Sequence, residues 1–159
     1  MRVLAIDPGY GRLGIAVVEG DPSRPTLIMS TCLVPDEDEP SLRLAEIAAT
    51  IQEAIQAHAP DILGIETLFF SNNKKTALGV AEARGAVLAI AGLARLPVIE
   101  CSPQAVKLAI TGHGAADKKA IALMLPKLIV LPEKRRLDDE IDAIAIGITT
   151  LTMGRVHRR

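Results

Sequence analysis

Cysteine is scarce in this chain. Cys32 and Cys101 are the only two, and neither has another Cys or a His beside it at metal-ligand spacing. That excludes a disulfide framework and a thiolate metal site, and both residues read as reduced members of apolar strands. Long apolar runs are missing too. The most apolar window, Ala77 to Ala94, is interrupted by Glu82 and Arg84, and nothing approaches the roughly 20 apolar residues that a bilayer demands. The start, MRVLAID, brings an acid and then a proline where a secretory signal would continue its apolar stretch, so a cytoplasmic protein without a membrane is expected. Aromatics amount to 2% of the residues, namely Tyr10, Phe69 and Phe70. Net charge is −1, which taken alone argues against a nucleic-acid partner.

What is present points elsewhere. The 159 residues are 49% apolar and 23% charged, enough to bury roughly 70% of the unfolded surface in one globular domain. Charge is divided unevenly: residues 1–70 hold four basic and eleven acidic side chains, residues 71–159 hold 14 basic and eight acidic. Such asymmetry permits a basic face on a nearly neutral protein.

Short β-branched runs at Arg2 to Asp7 and Arg12 to Glu19, joined by Pro8-Gly9-Tyr10-Gly11, predict a hairpin, with a third strand over Thr26 to Val34. Leu44, Ile47, Ile51 and Ile55 recur at helical spacing up to about His58. Asp61 to Glu66 reads as a buried fourth strand, Thr76 to Arg95 as a helix rich in small residues, and Pro97 to Cys101 as a fifth strand. Ser102-Pro103 opens a helix to Ile110. Another runs from about Ala116 and should stop near Pro126, and the last begins near Asp138. The order predicts an α/β fold, a mixed five-stranded β-sheet flanked by helices, over 1–152, with a short basic tail at 153–159.

Two phosphate-binding patterns fail. Gly9-Tyr10-Gly11-Arg12-Leu13-Gly14 matches G-x-G-x-x-G, but Gly14 opens the strand sequence Ile15-Ala16-Val17-Val18 and not a helix. Gly112 to Lys118 resembles a P-loop but has Asp117 where the second glycine belongs. The acids are more informative. Asp7 and Glu66 each close an apolar strand, a position where a solvated end is common. Asp138, Asp139, Glu140 and Asp142 open the last helix, and Asp139 and Asp142 share a face at i and i+3. Capping and the helix dipole account for the first of these acids but not for Asp142. Clustered carboxylates about 4 Å apart repel by roughly 4 kcal/mol at an effective dielectric of 20, so a cluster of Asp7, Glu66, Asp139 and Asp142 calls for hard cations. All-oxygen donors suit Mg²⁺ or Mn²⁺, and a pair of such ions suits phosphodiester hydrolysis.

These residues, in this order, resemble the bacterial RuvC Holliday-junction endonucleases of the RNase H-like superfamily. The resemblance covers nearly the whole chain. It is carried by Ile6-Asp7-Pro8-Gly9 with Gly14, Glu66 before an aromatic and polar loop, Ala83-Arg84-Gly85, Pro103 with Val106-Lys107, Thr111-Gly112-His113-Gly114 with Lys118, and Asp139 with Asp142-Ala143-Ile144-Ala145-Ile146. It implies an RNase H-like fold and a crossover junction endodeoxyribonuclease that makes paired symmetric nicks. Asp7, Glu66, Asp139 and Asp142 would be its catalytic, metal-binding acids, with Mg²⁺ as cofactor, two ions per site, and Mn²⁺ as a substitute. It further implies that Lys107 and Lys118 serve DNA or the scissile phosphate, that the protein is a homodimer, and that its partners are a four-way DNA junction and a branch-migration helicase complex. Departures are Asp138 and Glu140 around Asp139, Pro126 where the family's helix continues, and Cys101 in place of an aromatic.

Adjacent Phe69 and Phe70 alternate if the segment is extended, so one is expected to be exposed; it is either a packed loop anchor or a stacking wedge for an unpaired base, the role that the resemblance implies for an aromatic in this loop, with Phe69 the closer positional match. Lys74, Lys75, Arg84, Lys107, Lys118, Lys119 and His113 are DNA-binding candidates, and the tail adds Arg155, His157, Arg158 and Arg159. Gly79, Ala83, Gly85 and Ala89 form a small-residue stripe that suits either core packing or a two-fold interface, and the resemblance favours the interface. Competing readings are a YqgF-type RNase H-like nuclease, a non-catalytic junction-binding protein, and an actin-like ATPase, which would need two such domains to clamp its nucleotide.

Overall fold

The computed structural model describes residues 1–9, 11–68 and 74–156, and within these the side chains of all but 74–76, 155 and 156. Its sheet has five strands: β1 (Arg2–Pro8), β2 (Leu13–Asp21), β3 (Arg24–Leu33), β4 (Ile62–Glu66) and β5 (Val98–Cys101). They stand in the order β3-β2-β1-β4-β5. The first three pair antiparallel, while β1 with β4 and β4 with β5 pair parallel, so the sheet is mixed as the sequence predicts. Five helices complete it: α1 (Pro40–His58), α2 (Lys74–Leu93), α3 (Pro103–Thr111), α4 (Lys118–Leu128) and α5 (Asp138–Val156).

Alternation along β1 divides the core into two layers. Leu4 and Ile6 join Ile47 and Ile51 of α1 and Val87 of α2 on one face. Val3 and Ala5 join Ile144 and Ile148 of α5, Val106 and Ile110 of α3, and Ile121 and Leu125 of α4 on the other. Helix α5 lies close against the sheet because glycines make room for it. A Cβ on Gly14 would collide with the carbonyl of Asp139, and one on Gly64 would collide with the hydroxyl of Thr150.

Helix starts follow their capping chemistry. Ser102 caps α3 by accepting from the Ala105 N–H at 3.1 Å, with Pro103 in the first turn. Asp117 caps α4 by accepting from the Ala120 N–H at 2.8 Å. The expected end of α4 near Pro126 is corrected: the helix continues to Leu128. Pro126 stands in the last turn, and both it and Ala122, four residues earlier, are exposed, so water can satisfy the carbonyl that proline leaves without its N–H. Cys101 is buried as expected, whereas Cys32 is only partly buried on β3 opposite Gly14. Among the described residues no helix is long and apolar enough to cross a membrane.

Candidate active site

The strand registers put two acids side by side. Ile6 of β1 pairs with Ile65 of β4, so Asp7 and Glu66 come next on adjacent parallel strands. Counting in twos from Val3 and Ala5, and from the Gly64 that underlies Thr150, both side chains emerge on the α5 face. There they share a hydrogen bond. Burial, first, and then the charge and hydrogen bond of Glu66 push the Asp7 carboxyl up to about 8, with Asp142 and Asp139 adding to the shift. Burial also raises Glu66. The Asp7 hydrogen bond opposes that rise, Asp142 reinforces it and Lys118 counteracts it. Burial and mutual repulsion thus favour a proton on the pair in the absence of a cation.

The first turns of α5 bring the other two acids over this pair. Asp139 is turned inward and Asp138 is exposed, which distinguishes two neighbours that the sequence leaves equivalent. Each inward acid faces a cation of the chain: Arg12 Nε lies 3.0 Å from Asp139 Oδ2, and Lys118 Nζ donates to Asp142 Oδ2 at 3.0 Å. Lys118, in turn, is raised by its hydrogen bond to Asp142 and by that carboxylate's charge. The approach of Arg12 falls outside hydrogen-bonding geometry, so Asp139 Oδ2 is buried with its charge neutralised but without a directed donor. Among the described residues no three acids are drawn together closely enough to enclose an ion in this arrangement. A shared proton, Arg12 and Lys118 compensate the cluster instead. Four carboxylates, one with an orphaned oxygen, form a donor set that suits a hard divalent cation.

Beside the acids a cleft of about 120 Å³ is lined by Glu66, Lys107, Lys118 and Asp142 over apolar Val106, Ile121 and Ile146. Of the expected DNA contacts, Lys107 and Lys118 therefore stand at the acids. Lys119 and His113 are exposed nearby, on α4 and in the turn before it. Arg84 is largely buried, pairs with Glu100 Oε2 at 2.7 Å and donates to the Glu66 carbonyl at 3.4 Å, bracing β4. Phe69 and Phe70 lie outside the described residues, as do the side chains of Lys74 and Lys75 and, in the tail, Arg155, His157, Arg158 and Arg159.

The small-residue stripe on α2 splits in two. Ala83 is buried in the core and Gly79 borders it, while Gly85 and Ala89 are exposed. Residues two apart on a helix differ by about 200°, so Ala83 and Gly85 cannot share a face. Ala83 is therefore corrected from an interface residue to a core residue. Sequence reasoning missed Arg12, whose only signal is its place just before β2.

A mixed sheet of this strand order, with carboxylates on the two central parallel strands and the helix above them, defines an RNase H-like α/β protein with an acid-cluster site. The family model for crossover junction endodeoxyribonuclease RuvC matches residues 3–150, and the chain belongs to that family. Crossover junction endodeoxyribonuclease RuvC of Moorella thermoacetica is 40% identical over 149 residues, covering 93% of this chain and 89% of that protein. Its counterpart in Syntrophomonas wolfei is 38% identical over 152 residues, covering 95% and 88%. Among solved structures, T. thermophilus RuvC in complex with a Holliday junction substrate superposes with a TM-score of 0.91 at 33% identity, covering 99% of this chain and 96% of that one.

Proposed function

We infer that this chain resolves four-way DNA junctions by hydrolysing two opposed phosphodiester bonds, with Asp7, Glu66, Asp139 and Asp142 as its cation-holding acids. The observation that carries the reading is that β1, β4 and α5 bring these acids within electrostatic reach of Asp7, with Arg12 and Lys118 paired to two of them. Mg²⁺ is the ion this donor set favours, two per site, and Mn²⁺ substitutes for it. When bound, such ions supply Lewis-acid stabilisation of the attacking and leaving oxygens. The chain's own residues do the rest. Asp7 would hold the ion as a carboxylate, its proton passing to water. Lys118 and Arg12, which pair with Asp142 and Asp139, would be available to backbone phosphate where a cation takes over that neutralisation. Lys107 draws the strand into the adjoining cleft, and Lys119 and His113 extend the contact.

Two cuts in a two-fold substrate require two sites, so the active form is a homodimer. Gly85 and Ala89 are the part of the α2 stripe exposed for a second copy. Phe69 or Phe70 stacks on an unpaired base, Lys74 and Lys75 contact phosphate, and a branch-migration helicase supplies the junction. The decisive experiment incubates the protein with a synthetic four-way junction, and with linear duplex of the same sequence, with and without Mg²⁺. Paired nicks confined to the junction and to Mg²⁺ are expected. Equal cutting of linear duplex would refute the junction assignment.

A further inference from the structure

One buried charge has no part in the site described so far. Glu140 lies between Asp139 and Asp142 in sequence, yet it is 4% exposed and points elsewhere. On an ideal helix it is rotated about 100° from Asp139 and about 160° from Asp142. Its Oε1 accepts from the Ser30 hydroxyl of β3 at 2.5 Å, pairs with Lys134 Nζ at 2.5 Å and lies 3.5 Å from Arg136 Nε. The same groups are joined to one another. Lys134 Nζ donates to the Ser30 carbonyl at 2.7 Å, and Arg136 donates to the Pro132 carbonyl at 2.9 Å and, more weakly, to the Ser30 hydroxyl at 3.5 Å. Arg136 is buried nearly as deeply as Glu140.

A buried carboxylate facing a buried Arg136, with the exposed Lys134 closing the cluster, is a poor way to gain stability, because desolvation offsets most of the attraction. What such a cluster does provide is a fixed geometry. Glu140 ties the first turn of α5 to strand β3 and to the segment leading into the helix, on the side away from the acids. Rotation of that turn by one residue's worth of arc, about 100°, would carry Asp139 and Asp142 away from Asp7 and Glu66. In the first turn of α5 only the partly buried Ile141 packs on the apolar core, and the fully buried contacts begin at Ala143 and Ile144, so the Glu140 cluster adds the polar part of what fixes that turn.

We propose that Glu140 is a positioning residue for the cation site: through Ser30, Lys134 and Arg136 it sets the rotation of the first turn of α5 and so the aim of Asp139 and Asp142. This rests on the reading of those two acids as cation ligands. Groups that orient ligands without touching the ion typically contribute 10- to 100-fold to metal affinity.

The test is Mn²⁺ titration of the purified protein, followed by the electron paramagnetic resonance signal of the free ion. It compares the unaltered protein with Glu140→Gln, Ser30→Ala, Asp142→Asn and a core control, Leu125→Ala, with metal-free junction affinity measured on each. Glu140→Gln should weaken Mn²⁺ binding about tenfold or more. Ser30→Ala, which removes a single hydroxyl and decides the matter should Glu140→Gln fail to fold, should weaken it severalfold. Junction affinity without metal should stay the same in both, and Leu125→Ala should keep full Mn²⁺ affinity despite a lower Tm. Mn²⁺ affinity within twofold of the unaltered protein in both Glu140→Gln and Ser30→Ala would overturn the proposal alone, as would an equal loss in Leu125→Ala. Binding that Asp142→Asn leaves intact would overturn the cation reading and the proposal together.

Discussion

Replacing Asp7 by Asn should make the metal-free protein more stable while destroying its activity, and the gain should depend on pH in a defined direction. In the unfolded chain an Asp carboxyl titrates near 3.8, whereas in the folded protein burial and Glu66 push Asp7 up to about 8. A carboxyl whose folded value is raised favours the folded state at low pH. That advantage is lost as pH rises from about 4, and the loss levels off near 8. Each pH unit in the window costs about 1.4 kcal/mol, so by pH 7 the penalty is on the order of 4 kcal/mol. The repulsion expected for two carboxylates about 4 Å apart at an effective dielectric of 20 is also about 4 kcal/mol. Asn carries no charge at any pH, and its amide still donates to Glu66. For a chain of this length each kcal/mol moves Tm by about 2 to 4 °C, so Asp7→Asn should melt roughly 8 to 16 °C higher at pH 7 to 8. At pH 4 to 5 the two proteins should melt close together. Adding Mg²⁺ at pH 8 should raise the unaltered protein selectively and narrow the gap. The measurement is thermal denaturation by circular dichroism across pH 4 to 9. A gap that does not change with pH, or an Asn variant less stable at pH 8, would refute the idea that a shared proton compensates this cluster.

Three other outcomes follow from the same geometry. Lys118→Ala should reduce junction cleavage and lower the slope of log K against log salt by roughly 0.9 for each duplex-arm phosphate that the side chain neutralises, read from binding titrations at several salt concentrations. Gly14→Ala should cost at least about 1 to 3 kcal/mol in urea denaturation, because its methyl meets the Asp139 carbonyl and the backbone of α5 must move. Gly85→Leu, at an exposed site, should leave Tm nearly unchanged while analytical ultracentrifugation shows loss of a dimer, whereas Ala83→Leu should act mainly by overpacking the core.

The sheet, and the positions of the four acids at strand ends and on the first turns of the last helix, were legible in the sequence because both depend on local, periodic signals. Alternating β-branched runs mark strands, an acid at the end of each run marks a strand mouth, and i, i+3 spacing places Asp139 with Asp142. What was not legible depends on which elements meet. Glu140 reads as one more solvated acid at a helix start, and only the approach of β3 and of residues 132 to 136 makes it internal. Arg84 reads as a phosphate contact until Glu100 of β5 arrives beside it. Ala83 and Gly85 look alike as small residues, and the helix phase that separates them is set by α1 packing on α2. Pro126 ends a helix by local rules, yet on a solvent-facing last turn the missing hydrogen bond is tolerated.

Asp142 bears on the central claim most directly, because it sits on the helix that completes the acid cluster and is neutralised there by Lys118. Single-turnover cleavage of a synthetic four-way junction by Asp142→Asn, alongside a binding titration with the same preparation, tests it. Removing a negative charge beside DNA should leave junction affinity equal or higher, while paired cleavage in Mg²⁺ falls below detection. Cleavage at the rate of the unaltered protein, or loss of binding in step with loss of cutting, would contradict the claim that these carboxylates serve the chemistry and not the grip on DNA.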